Sequence, residues 1–328
     1  MKKISSILLA VCCFCTLPFG TSCTGKVENE DSTLTEEKKV QNKFPEMSGD
    51  LAYTYIEKQL QFGPRVPGTA THKACAGWLR SELQKFCDTV LIQEAMVKTF
   101  DGKSVPIINI IGQFKPDTSQ RILLASHWDS RPWADEDLKD HDKPIPAAND
   151  GASGVGILLE LASKLKNTPP GIGVDIVFFD AEDMGKPEAM NSYCLGSEYW
   201  AKNPLPNGYK ANCGVLLDMV GGKDAQFFYE GYSYQNAFKI LSHTWGIAAE
   251  LGFAARFVPE AIGNITDDHQ QVTLHTQIPM MDIIQYDKQT KNFAYFWHTH
   301  NDNMEAIDKN TLKMVGTVIS ALVFNPPF

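Results

Sequence analysis

Apolar runs that stop abruptly at acids or histidines constrain this chain more than anything else in it. VDIVFF, from Val174 to Phe179, runs straight into Asp180, Glu182 and Asp183. RILLAS is followed by His127 and Asp129, and CGVLL ends at Asp218. Short runs with almost no apolar–polar alternation mark strands buried on both faces. TVLIQEAMV, PIINIIGQF and IPMMDIIQ read as further strands. Between them lie stretches with helical spacing: SGDLAYTYIEKQLQFG, THKACAGWLRSELQKF, GASGVGILLELASKLKN, CLGSEYWAKN, YQNAFKILSHTWGIAAELG and NTLKMVGTVISALVFN. Strands alternating with helices predict an open α/β sheet, mostly parallel inside, in one domain over 46–328.

The start of the chain follows other rules. MKKISSILLAVCCFCTLPFGTSC has a basic start, an apolar stretch too short to span a bilayer, and small residues before Cys23. This predicts a signal peptide over 1–22. GTSC resembles a bacterial lipobox, so Cys23 is the expected lipidation site, followed by a polar tether over 23–45. The expected location is the bacterial cell envelope, facing the periplasm or outer membrane, with a lipid anchor as the membrane contact. Past the leader, Cys75, Cys87, Cys194 and Cys213 fit no zinc framework and read as core residues. A net charge of −9 with no basic stripe argues against nucleic acid as a partner. A monomer is the simplest assembly.

In an open α/β sheet, ligands bind beyond the carboxyl ends of the strands. That edge is where His127, Asp129, Asp150, Glu182, Asp183 and Asp218 fall, and TDDH (266–269) and FWHTHNDN (296–303) bring more acid and histidine. Each segment has a plain structural alternative: Asp150 would serve as a helix N-cap, AED as a solvated turn, and SHWDS as a core histidine beside a surface acid. Their convergence is what points to chemistry. Zinc takes histidine nitrogen and carboxylate oxygen, and catalytic sites leave one position open. A metal also accounts for the adjacent acids: if Asp183 binds the cation, Glu182, facing the other way along an extended segment, remains as a base.

The order H-x-D, D, acidic pair after a strand, D, D-D-H and W-H-T resembles the secreted zinc exopeptidase family, which contains bacterial aminopeptidases and animal-type glutaminyl cyclases. The resemblance covers residues 48–328 and implies a three-layer α/β/α sandwich with a mixed, mainly parallel central sheet. Aminopeptidases of this kind bind two zinc ions bridged at the position of Asp150. One ion would also take His127 and Asp218, the other Asp183 and His298. Glutaminyl cyclases use one zinc, at Asp150, Asp183 and His298, and Glu182 matches the general base of both branches.

The cyclase branch is the nearer match. Trp297 directly precedes His298, Phe293 matches an aromatic position of the substrate pocket, and Asp267 matches an acid that shares protons with the Asp218 and Glu182 positions. The implied reaction converts N-terminal glutamine of peptides or proteins to pyroglutamate with release of ammonia. There are departures: Asp183 stands where animal cyclases have Glu, MGKPEAMNSY lacks their tryptophan, with Glu188 near its place, and NDGASGVG suits an aminopeptidase equally. Removal of N-terminal residues by a two-zinc enzyme is the alternative.

Overall fold

The computed structural model describes residues 44–328. The expected signal peptide, Cys23 and nearly all of the tether lie outside the described residues. Two helices open the fold, α1 (Gly49–Leu60) and α2 (Ala70–Phe86), followed by strands β1 (Thr89–Lys98), β2 (Ser104–Phe114) and β3 (Arg121–His127). Then come α3 (Ala152–Asn167), β4 (Gly173–Phe179), α4 (Leu195–Lys202) and β5 (Cys213–Asp218). A short β6 (Phe227–Tyr229) leads into α5 (Gly231–Asn236), α6 (Phe238–Glu250) and β7 (Phe257–Ala261). The chain ends with α7 (Asp268–Thr276), β8 (Met280–Ile284) and α8 (Lys309–Phe324).

Six strands form the central sheet in the order β1-β2-β4-β3-β5-β8. β4, β3, β5 and β8 run parallel, while β1 and β2 are antiparallel additions at one side. The sheet is therefore mixed and mainly parallel, as expected. Every residue of β3, β4, β5 and β8 is buried, because helices cover both faces. Ile122, Leu124, Ile176 and Val215 face a core shared with α1, α3, α6 and α8. Leu123, Val177 and Leu216, one residue out of phase, face a second core with Trp200 of α4 and Val272 of α7. The pleat thus divides an unbroken apolar run between two cores. Burying each such side chain contributes roughly 1.5–3 kcal/mol.

Two expectations need correction. YQNAFKILSHTWGIAAELG is two helices, with Ala237 between them at φ −137°. Glu182 and Asp183 are not pleated neighbours on a strand, because β4 ends at Phe179 and they sit in a bend entered through Ala181 at φ 53°. The pair β6–β7 went unseen in the sequence: β6 has only three residues and β7 carries a proline and three exposed positions.

Parallel pairing decides where the site lies. His127 is in register with Phe179, and Asp218 with Ile284, so four strands end along one line. α3 packs so closely behind that line that a Cβ on Gly154 would lie 2.3 Å from Leu217 O and 2.4 Å from Ser126 Oγ. Both are firm neighbours in a strand core. Gly154→Ala should therefore push α3 off β3 and β5 and destabilise the protein by about 1–3 kcal/mol, read as a lower denaturant midpoint with an unchanged slope.

Candidate metal centre and active site

Asp150 stands at the centre of the strand-end cluster and divides its carboxylate between two histidines. Oδ1 lies 3.1 Å from His127 Nε2, and Oδ2 lies 3.6 Å from His298 Nε2. His127 Nε2 is also 3.0 Å from Asp218 Oδ1, and His298 Nε2 is 3.4 Å from Asp183 Oδ1. The residues expected from the sequence are thus brought together as two overlapping groups, His127–Asp150–Asp218 and Asp150–Asp183–His298, all buried. Asp150 is not a helix cap. Gly151, at φ 90°, occupies the position before α3, with no side-chain cap bond. A Cβ on Gly151 would stand 2.8 Å from His127 Cε1, so glycine lets the chain pass beneath the imidazole.

Backbone contacts orient the acids. Asp129 accepts the N–H groups of Glu182 and Asp183 at 3.0 and 3.2 Å, holding the bend that separates the two side chains. Asp302 does the same for Asn149 and Asp150, at 2.7 and 3.0 Å. Asp180, the first acid after β4, belongs to neither group. It accepts from Ile108 and Ala181 and pairs with His72 at 2.8 Å. His300 bonds Asp137 rather than the cluster.

Glu182 is aimed away from the ligand groups, with Oε1 3.3 Å from Cys194 Sγ. Burial, then the charges of Asp183 and Asp267, raise its proton affinity well above a normal glutamate's. Asp267 is raised in the same way by burial, Asp218 and Asp268. For Asp183, burial is outweighed by His298 and Arg131, which hold it below the ordinary range. Burial would lower His298, but Asp183 and Asp135 bring it up to about 9.

A pocket of about 300 Å³ opens over these groups, walled by Tyr193, Ile265, Phe293 and Trp297. Trp297 stacks on the His298 ring at 3.6 Å between centroids, and Phe293 packs on Trp297 at 4.8 Å. Glu188 is not part of its wall. Behind Asp267 lie Asp268 and His269 of the TDDH segment, together with two buried acids that sequence reasoning missed, Asp282 and Glu230, the latter 3.0 Å from His269. Asp282, a lone acid inside MMDII, was the available signal.

A zinc ion fits Asp150, Asp183 and His298. Buried Asp183 Oδ2 has no hydrogen-bond partner among the described residues, an arrangement that costs free energy unless something cationic or protic meets it. Ligand atoms about 2.0–2.2 Å from a tetrahedral zinc lie roughly 3.3–3.6 Å from one another, and His298 Nε2 meets Asp183 and Asp150 at 3.4 and 3.6 Å.

An α/β/α sheet with paired acid–histidine groups around one shared carboxylate defines an enzyme of the zinc-dependent exopeptidase class. The chain belongs to peptidase family M28, whose family model matches residues 109–323. A solved Zn-dependent exopeptidase from Parabacteroides distasonis is 48% identical, covering 86% of this chain and 99% of its own, with a TM-score of 0.84. The glutaminyl cyclase of Bacteroides thetaiotaomicron, solved bound to N-acetylhistamine, is 44% identical over 86% of this chain and 99% of its own, with a TM-score of 0.83. Aminopeptidase YwaD of Bacillus subtilis is 26% identical over 224 residues, 66% of this chain; the match spans only 44% of that longer protein.

Removing zinc should reverse the pH dependence of stability. Without metal, Glu182, Asp267 and Asp150 bind protons more tightly folded than unfolded, and Asp268 and Asp302 are pushed up to about 7 by burial. Their contribution is favourable at low pH and is lost as pH rises through those raised values; Asp183 runs the other way and is outnumbered. The Tm of the zinc-free protein should therefore rise between about pH 8 and about pH 6. That of the zinc-loaded protein should fall over the same range, because protons compete for the ligands. Thermal melts with and without chelator would read both slopes.

Proposed function

We propose that the protein is a one-zinc glutaminyl-peptide cyclotransferase. The observation that carries this reading is the difference between the two overlapping groups. Asp150, Asp183 and His298 are spaced as zinc ligands are. His127 instead lies 3.0 and 3.1 Å from Asp218 and Asp150, inside hydrogen-bond range, so a proton on Nε2 already satisfies the second position. The aromatic wall of Trp297 and Phe293 supports a small, dry pocket for a side chain folded back on its own amine.

Bound by Asp150, Asp183 and His298, zinc would act as a Lewis acid on the glutamine side-chain carbonyl. Glu182 accepts a proton from the substrate α-amine, the amine nitrogen bonds to the side-chain carbonyl carbon, and the amide C–N bond breaks. The same carboxyl returns the proton to the departing ammonia. Because the attack is intramolecular, the pocket needs only to hold the bent conformer. Asp218 and Asp267 line the same pocket as Glu182, and the charge of Asp267 helps to raise the proton affinity of Glu182.

The alternative reading, a two-zinc aminopeptidase, rests on the proximity of His127, Asp150 and Asp218; Glu182 would then activate a metal-bridging water. Metal content together with product identity separates the two. One zinc per chain and ammonia from Gln-peptides support the cyclase, whereas two zincs and free amino acid from Leu-peptides overturn it. Under the cyclase reading, Glu182→Gln should lower kcat by about 10²–10⁴-fold while zinc content, measured by atomic absorption, stays at wild-type level. The proposal also includes an envelope location through lipidated Cys23; fatty-acid labelling that survives Cys23→Ser would remove that part.

A further inference from the structure

Arg131 is fully buried in the connection between β3 and α3, the segment that also carries Asp150. Its Nη1 donates to Asp183 Oδ1 at 2.7 Å and to the carbonyls of Asp183 and Gly185 at 3.3 Å each. Its Nε and Nη2 grip both oxygens of Asp135 at 2.6 and 2.5 Å. Asp135 Oδ1 then stands 3.4 Å from His298 Nδ1. That nitrogen is the one His298 does not turn toward Asp150 and Asp183. The rings of Trp133 and Tyr193 lie 5.4 and 5.7 Å from the guanidinium carbon, flanking the fork.

We propose that Arg131 and Asp135 form a brace that joins two zinc ligands, Asp183 and His298, and makes the Asp150–Asp183–His298 position the tighter of the two overlapping cation sites. This rests on the zinc-ligand reading above, not on which reaction follows. Arg131 anchors Asp183 through Oδ1, the oxygen 3.4 Å from His298 Nε2, and leaves Oδ2 without a hydrogen-bond partner among the described residues, so the carboxylate is fixed in place with acceptor capacity to spare. Asp135 fixes the His298 tautomer with its lone pair on Nε2, the usual service of a carboxylate behind a metal-bound histidine. The pair carries no net charge, so it orients both ligands without repelling a divalent ion. His127 has Asp129 behind it at 3.4 Å, but the other hydrogen bonds of Asp129 come from backbone N–H groups, and among the described residues no cation ties it to a second ligand. Among the described residues, an arginine braces one of the two groups and not the other.

The test is equilibrium competition for zinc between the metal-free protein and a chromophoric chelator. Arg131→Met and Asp135→Asn should each weaken the first zinc by about 10–100-fold. If the brace acts as a unit, the double variant should be no weaker than the worse single one. Arg131→Lys should not rescue, because an ammonium cannot hold both carboxylates in the fork geometry. Asp135 is partly exposed, so Asp135→Asn keeps the test decisive even if loss of buried Arg131 impairs folding. The NMR signal of the His298 Nδ1 proton should also shift in Asp135→Asn. Zinc affinity within about twofold of wild type in both single variants would overturn the brace. A wild-type protein that binds zinc but releases no ammonia would instead overturn the cyclase reading and leave the brace standing.

Discussion

Like charge brought to one place out of water is the constraint on which the rest of this structure depends. Five carboxylates, those of Asp150, Glu182, Asp183, Asp218 and Asp267, line a single pocket. Two unit charges 4 Å apart repel by about 4 kcal/mol at an effective dielectric of 20. Two or three uncompensated pairs would consume the roughly 5–15 kcal/mol by which a folded domain exceeds its unfolded chain. Protons or cations must therefore be part of the native state. His127, His298 and Arg131 supply some of the compensation, and a divalent ion held among these acids would supply more.

The fold produces this crowding by simple means. Parallel strands all present their carboxyl ends to the same edge, and short connections leave each next residue there. The backbone is bent to suit. Ala181, Cys194, Met219 and His298 hold φ between 49° and 60°, a region that costs non-glycine residues on the order of 1–3 kcal/mol each. These residues lie among the functional side chains, and the two packed cores beneath the sheet hold them in place. Asp129 and Asp302 add the local control, converting backbone N–H groups into fixed supports for Glu182, Asp183 and Asp150.

Much of this was legible in the sequence because it depends on local pattern. An apolar run that ends in an acid marks both a buried strand and its carboxyl end, so β3, β4, β5 and the acids after them could be read together. The split between Glu182 and Asp183 was legible but its cause was not: a left-handed residue and the Asp129 carboxylate separate them, not strand alternation. The supports were invisible for a related reason. Asp302 lies 152 positions from Asp150, and Arg131 lies 52 from Asp183; no local periodicity connects residues that meet only through tertiary folding. Asp282 is the exception, since an acid within an apolar strand declares itself without any partner.

Whether one divalent ion or two completes the site follows from how each ligand group behaves when empty. A group that closes on itself through hydrogen bonds must break them to take a metal, whereas a group held open has already met that cost in folding. His127 lies within hydrogen-bond range of Asp150 and Asp218, so a single proton competes directly with a metal there. His298 Nε2 stands farther from its acids, 3.4 Å from Asp183 and 3.6 Å from Asp150, and Arg131 holds both Asp183 and the Asp135 carboxylate behind the ring. Asp150 serves both groups, and a cation on its Oδ2 side withdraws charge from Oδ1, weakening the attraction for a second ion on the His127 side. On the one-zinc proposal, occupation of the first group disfavours occupation of the second, and the asymmetry between them comes from the neighbours of the ligands, since the ligand types in the two groups are the same.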